Sequence, residues 1–272
     1  MCRLYGHIAA RPLPLSGMLL DEPHALRAQS CGDWRGEKHR DGWGIGYFEQ
    51  HEPRVIRRPT AAPEDNEFVT AARQIVSPVA VAHVRQASVG DLCVANAHPF
   101  TFGSWVFVHN GTVTGFDQLR QGLIDETDGD LRRQVGGTTD SEQVFFWLLS
   151  RLRRAGQSAE GPCGDLAVVA GEMAAAIRIL ARRSEETQPD EPTRLNFLLT
   201  DGVVLIASRW RHSLYWTNRA GPLIAGPNGA DGGTFRGVAV ASETIGQAPW
   251  SEVPDGQILA VDADMVVHWR TI

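Results

Sequence analysis

Met1-Cys2-Arg3-Leu4-Tyr5-Gly6-His7-Ile8-Ala9-Ala10 opens the chain, and its second residue sets the problem. Removal of the initiator methionine, which a residue as small as Cys at position 2 permits, leaves a thiol and a free α-amine on one residue. A thiol with an ordinary pKa of about 8.5 is mostly protonated at neutral pH, whereas an α-amine at about 7.7–8.0 is partly unprotonated and can take that proton. Covalent catalysis needs such a base beside its nucleophile. Taken alone, Cys2 is more plainly a chance residue on a frayed terminus, so the case for chemistry rests on the rest of the chain. Arg3 to Ala10 predicts a first strand with Cys2 at its start, interrupted by Pro12 and Pro14.

Further along, Leu15 to Leu26 is mixed and includes at most a short helix, and the polar stretch Gln29 to Arg40 reads as a loop. In Asp41-Gly42-Trp43-Gly44-Ile45-Gly46-Tyr47-Phe48, glycine alternates with bulky apolar residues at the strand period. The spacing is not the G-x-G-x-x-G of a dinucleotide site; glycines on one strand face admit another backbone or a ligand. A turn at His51-Glu52-Pro53 leads to a strand at Arg54 to Arg58, and Asn66 to Val76 has helical spacing. In the next strand, Val79 to Gln86, alternation puts His83 and Arg85 on one face. The Arg85 fork suits a carboxylate, and a substrate carboxylate and a structural Asp or Glu are equally open.

Asn96-Ala97-His98-Pro99-Phe100 reads as a turn, and Trp105 to His109 as a strand running into Asn110-Gly111-Thr112. The Asn110 amide and the Gly111 N–H are two neutral donors aimed at one place, as an oxyanion hole needs; Asn-Gly is also a common hairpin turn. A helix follows through Leu123, then a polar loop or disordered segment from Asp125 to Gly137. Thr139-Asp140-Ser141-Glu142 has the form of a capping box ahead of the apolar stripe Val144, Phe145, Leu148, Leu149 and Leu152. Asp140 is explained by capping, or by pairing with a substrate ammonium opposite Arg85. The second half predicts a helix over Leu166 to Ala181 and a loop over Ser184 to Pro192. A hairpin about Asp201-Gly202 comes next, then short strands at Leu214 to Thr217, Val238 to Ser242, Gln257 to Val261 and Met265 to Trp269. Helical pairs flanking many antiparallel strands give an α+β architecture.

The 272 residues suffice for one large domain, and no break divides them. A net charge of -6 argues against nucleic-acid or anionic-membrane partners. The four cysteines, Cys2, Cys31, Cys93 and Cys163, are widely spaced, which suits a reducing cytoplasm. With neither a signal-peptide core nor a spanning apolar run, a cytoplasmic, non-membrane protein is expected. His83, His98 and His109 lack metal-ligand spacing, and the α-amine makes a histidine base unnecessary, so hydrogen-bonded structural roles are expected, with no metal and no cofactor.

In order along the chain, Met1-Cys2-Arg3-Leu4-Tyr5-Gly6, Asp41-Gly42-Trp43-Gly44, His83-Val84-Arg85-Gln86-Ala87-Ser88, Asn96-Ala97-His98-Pro99-Phe100, His109-Asn110-Gly111 and Thr139-Asp140-Ser141-Glu142 resemble the motifs of class II glutamine amidotransferases, which are N-terminal-nucleophile (Ntn) hydrolases. The resemblance covers roughly the first half and implies a four-layer αββα sandwich of two antiparallel sheets flanked by helices. It implies Cys2 as nucleophile with its own α-amine as base, and Asn110 and Gly111 as oxyanion hole. Arg85 and Asp140 would grip a γ-glutamyl group, with His98 and Trp43 beside them. Two departures favour a stand-alone relative: Arg3 replaces the glycine of the better-known members, and there is no room for a synthetase domain. The likeness is greatest to small single-domain members, including hydrolases of γ-glutamyl compounds such as γ-glutamyl-hercynylcysteine sulfoxide. The expected activity is hydrolysis of a γ-glutamyl amide through a thioester. The alternatives are a glutaminase subunit feeding ammonia to a separate synthetase partner, and a catalytically silent module that binds a γ-glutamyl ligand.

Overall fold

The computed structural model describes residues 2–222 and 234–272, so Met1, and with it the expectation that Met1 is removed, lies outside the described residues. In chain order the strands are β1 (Arg3–Pro14), β2 (Trp43–Glu49), β3 (Glu52–Arg58), β4 (Val76–Val84), β5 (Phe100–Phe102), β6 (Trp105–Thr112), β7 (Arg194–Thr200), β8 (Leu205–Arg209), β9 (Tyr215–Pro222), β10 (Thr234–Ala241), β11 (Ser251–Glu252), β12 (Gln257–Val261) and β13 (Val267–Thr271). The helices are α1 (Leu26–Cys31), α2 (Asn66–Gln74), α3 (Phe116–Glu126), α4 (Gly129–Arg132), α5 (Asp140–Arg154) and α6 (Leu166–Thr187). Among the described residues the strands form two sheets, ordered β11-β9-β10-β1-β4-β2-β3 and β13-β12-β8-β7-β6-β5. Every pairing is antiparallel.

The alternation of each strand sorts its side chains between two layers. From β4, Val79 and Val81 enter a core with Leu4, Ile8, Val106 and Leu198 between the sheets, while Ala80, Ala82 and Val84 face α2. The other face of the second sheet packs against α3, α5 and α6 through Phe107, Phe145, Phe197 and Ile177. The result is the expected αββα sandwich. Among the described residues no helix is long and apolar enough to cross a membrane.

Several boundaries differ from the sequence reading. β1 continues through Pro12 to Pro14 because its pairing with β4 shifts register between Ile8 and Leu13, a bulge that accommodates residues unable to donate. The β2–β3 turn is at Gln50-His51, both with positive φ, rather than at His51-Glu52-Pro53. Asn110-Gly111 is not a hairpin turn: β6 runs through it to Thr112, paired with β7. Within 125–137, the short helix α4 seats Leu131 in the core. The helix α6 extends through the acidic stretch to Thr187, where Arg183–Glu126 and Arg211–Glu185 contacts of 2.6 Å tie it down.

The β2 glycines show why that stretch alternates. A Cβ on Gly44 would stand 2.0 Å from the backbone oxygen of His98, and one on Gly46 would stand 3.0 Å from Pro99 Cγ. The 98–99 turn therefore lies directly on β2, and Gly44 admits its backbone.

Burial also makes the fold acid-sensitive. Desolvation pushes His7 and His39 down to about 4 and His212 down to about 3. With folded values below the unfolded one, the unfolded chain binds more protons between the two, so stability is lost as pH falls from about 6.5 towards 4. Thermal melts across that window should show Tm dropping steadily, with net proton uptake on unfolding. A flat Tm from pH 7 to 4.5 would contradict the burial of these rings.

Candidate active site

Cys2 is buried at the head of β1, where the segment following β4 crosses it. Its Sγ donates to the carbonyl oxygen of Gln86 (3.4 Å) and accepts from the Gln86 N–H (3.3 Å). Burial pushes the thiol pKa up, against the opposing pull of the Gln86 N–H and the Arg85 charge. A thiol so placed is protonated at neutral pH and needs a base to become a nucleophile.

The 85–87 segment is held by the Asp41-Gly42 stretch: Asp41 N–H donates to Arg85 O (3.0 Å), Arg85 N–H to Gly42 O (2.8 Å), and Ala87 N–H to the Asp41 carboxylate (2.7 Å). The Arg85 guanidinium donates to the carbonyls of Val89 (2.7 Å), Gly90 and Asp91 (both 3.2 Å), neither of the partners that the sequence left open. Asn96 ties the same loop to the start of α5, donating to Asp91 O (3.0 Å) and accepting from Thr138 N–H (2.8 Å). At α5, Thr139 accepts from Glu142 N–H (3.3 Å), but the Glu142 carboxylate turns to Gly136 and Gly137 N–H, so only half of the capping box forms. Asp140 accepts from Val113 N–H and Ser141 N–H, both 2.8 Å.

Two cavities meet at the thiol. One, of about 20 Å³, is lined by Cys2, Arg85, His98, Gly111 and Asp140 among others; the second, of about 220 Å³, is lined by Cys2, Gln86, Ala87, Ser88, Gly111 and Thr112. The first has room for about one water, and it sets a guanidinium and a carboxylate on the same small space. Gly111 is confined: a Cβ there would stand 1.9 Å from Arg194 O. Asn110, fully buried on the same strand, reaches across the sheets to Ser242 Oγ (2.8 Å).

The structure thus brings Cys2, Arg85, His98, Gly111 and Asp140 to one place, with Asn110 next to them in the chain. Trp43 is the correction. Its ring is fully buried on the opposite face of β2, against Phe68, and its indole N–H donates to Asp65 (2.9 Å), so it does not line either cavity. Of the histidines, His109 is hydrogen-bonded as expected, to Ser141 Oγ (2.9 Å) and Arg194 O (3.0 Å), and His83 interacts with the His109 backbone, whereas His98, its ring centroid 4.3 Å from that of His83, has no partner at hydrogen-bond geometry among the described residues. Burial holds all three below the ordinary histidine range. Among the described residues no group of three or more His, Cys, Asp or Glu is placed to hold a metal ion.

The family model described as "Glutamine amidotransferases class-II" matches residues 15–225. The chain belongs to the class-II glutamine amidotransferases. It is similar to a Saccharomyces cerevisiae protein named "Probable glutamine amidotransferase DUG3", 28% identical over 98% of this chain and 83% of that one. It is also similar to the gamma-glutamyl-hercynylcysteine sulfoxide hydrolase of Mycolicibacterium smegmatis, 30% identical over 98% of this chain and 99% of that one. In fold it matches the glutamine aminotransferase class-II domain protein of Silicibacter pomeroyi, with a TM-score of 0.68, 23% identity and 99% of each chain covered.

In this amidotransferase the residue after the nucleophile carries a structure that sequence reasoning missed. Arg3 is buried; it donates to Cys2 O and Glu243 (both 2.9 Å) and pairs with Asp33, which in turn contacts His39 Nε2 (3.2 Å). Burial alone would raise the Asp33 carboxyl, yet the Glu37 N–H, the Arg3 charge and the Arg35 N–H hold it below its ordinary value. The available signal is an arginine at the head of a strand whose next residues, Leu4, Tyr5 and Gly6, carry no charge.

Proposed function

We propose that this amidotransferase hydrolyses the γ-amide of glutamine or of a larger γ-glutamyl compound through a γ-glutamyl thioester on Cys2. The observation that carries the reading is the thiol at the junction of two cavities, one holding Arg85 and Asp140. A γ-glutamyl group ends in an α-ammonium and an α-carboxylate, and those two opposite charges match it. With the head in the Arg85–Asp140 cavity, the leaving group falls on the side lined by Ala87 and Thr112. Arg85 must exchange its loop carbonyls for the substrate carboxylate, which moves the 89–91 loop and enlarges the small cavity.

In the proposed sequence the Cys2 α-amine takes the thiol proton and sulfur attacks the γ-carbonyl carbon. The oxyanion accepts from Asn110 Nδ2 and Gly111 N–H, neutral donors fixed before the charge develops. The intermediate collapses as the amine leaves with the proton, and water, deprotonated by the same α-amine, releases glutamate. The N-terminal base makes an imidazole unnecessary, in keeping with the Gln86 backbone partners of Sγ.

Arg85→Lys keeps the charge but loses the fork, so KM for the γ-glutamyl substrate should rise about tenfold to a hundredfold with kcat less affected. An unchanged KM would remove Arg85 from the substrate. The reading as a whole is tested by glutamate release from glutamine and a series of γ-glutamyl amides, using protein whose intact mass shows Met1 absent. Release from the larger amides marks a hydrolase of such compounds. Release from glutamine alone directs the search to an ammonia-consuming partner, and binding without release makes the chain a silent module, contrary to the proposal.

A further inference from the structure

Ser242 directly follows β10 and is fully buried. Its N–H donates to Leu4 O and its hydroxyl oxygen accepts from Leu4 N–H, both at 3.0 Å, so it closes the start of β1 two residues beyond the nucleophile. The same oxygen lies 2.8 Å from the Asn110 amide, which comes from the opposite sheet. One side chain therefore links the strand that carries Cys2 to the strand that carries the oxyanion donors. The family match ends at residue 225, short of Ser242.

The Asn110 amide meets this junction in either of two orientations, which exchange the places of Nδ2 and Oδ1. With Nδ2 towards Ser242, Asn110 Oδ1 is buried and has no partner among the described residues. Amide oxygen and nitrogen have the same shape, and the bonds available to each decide their assignment. With the amide turned over, Ser242 accepts from Leu4 N–H and donates its hydroxyl hydrogen to Asn110 Oδ1. A buried acceptor is then satisfied, and the atom left without a protein partner is Nδ2, a donor. A buried donor in that position is costly until an acceptor reaches it, and it needs no reorganisation when one forms.

We propose that Ser242 is a positioning residue for catalysis: its hydroxyl holds the Asn110 amide with Nδ2 presented to the oxyanion that forms at Cys2. The inference rests on the oxyanion role of Asn110 proposed above. Its effect is confined to the transition state, because an oxyanion exists only there and in the tetrahedral intermediates.

A double-mutant cycle with Ser242→Ala and Asn110→Ala tests it, with KM, kcat and the rate of iodoacetamide alkylation at the Cys2 peptide read for each protein. Alkylation uses the same thiol and builds no oxyanion. Ser242→Ala should lower kcat about tenfold to a hundredfold, leave KM within about twofold, and leave alkylation at the wild-type rate. In the Asn110→Ala background the same change should cost nothing further, as expected of residues acting through one another. Equal losses in both backgrounds would overturn the proposal. So would parallel loss of turnover and alkylation, which would make Ser242 a support for β1 through Leu4. Should Asn110→Ala turn over normally, the oxyanion reading itself falls; a slow Asn110→Ala beside a fully active Ser242→Ala removes only the positioning role. If Ser242→Ala does not fold, Ser242→Cys keeps the branching of the side chain at a somewhat larger volume and weakens the hydrogen bonds. Its kcat should fall at unchanged KM, and an unchanged kcat would overturn the proposal.

Discussion

Cys2→Ala is expected to lower glutamate release by a factor on the order of 10⁴–10⁶, the usual consequence of removing a nucleophile that acts as a unit with its base. The fold should survive. The side chain sits at the first residue of the described chain, its hydrogen bonds go to the backbone of one residue, Gln86, and an alanine in its place would retain the α-amine. Arg85 and Asp140 remain in place, so γ-glutamyl ligands should still bind with little change in Kd. Comparing turnover with binding by calorimetry separates the two effects. Cys2→Ala protein that releases glutamate at an undiminished rate would show that the attacking group is elsewhere.

The second large effect should follow from Arg3→Met, and here the loss is in stability. Arg3 holds Asp33 and Glu243, whose side chains are 0% and 3% exposed, so the substitution leaves two buried carboxylates without the guanidinium they share. Breaking a buried ion pair on one side costs about 3–5 kcal/mol. It also frees Cys2 O, which Arg3 Nη1 holds, and the 33–39 loop, which Asp33 organises through the N–H groups of Arg35 and Glu37. Adding Asp33→Asn and Glu243→Gln should restore much of the stability, because no buried charge then stands alone. Denaturant unfolding of the single and triple variants checks this. A single variant as stable as the parent would mean that the three groups do not form a buried cluster.

Much of the site is legible in the sequence because its parts are local patterns. The β2 glycines alternate at the strand period, Thr139 caps α5 one residue before Asp140, and Asn110-Gly111 ends an apolar strand. The same period, carried one step further, places Trp43 correctly: Gly44 and Gly46 face the second sheet, so Trp43 must face α2. What local pattern does not encode is which distant residue answers a buried polar group. Arg3 meets Asp33 and Glu243 across 30 and 240 positions, and Asn110 meets Ser242 across 132. Arg85, a candidate substrate clamp in the sequence, holds the loop a few residues ahead of it. Helix α6 overran its expected end for a related reason, since arginines on and beyond it pair with glutamates that composition alone assigns to a loop.

The central claim is a covalent γ-glutamyl group on Cys2, and acid-quenched mass spectrometry tests it most directly. Protein lacking Met1 is mixed with a γ-glutamyl amide, quenched within milliseconds and digested in acid. The account predicts that the N-terminal peptide gains the mass of one γ-glutamyl group at Cys2, that hydroxylamine removes it, and that Asn110→Ala forms it more slowly. Steady glutamate release with no adduct at Cys2 at any quench time, or with the adduct on another residue, would contradict it.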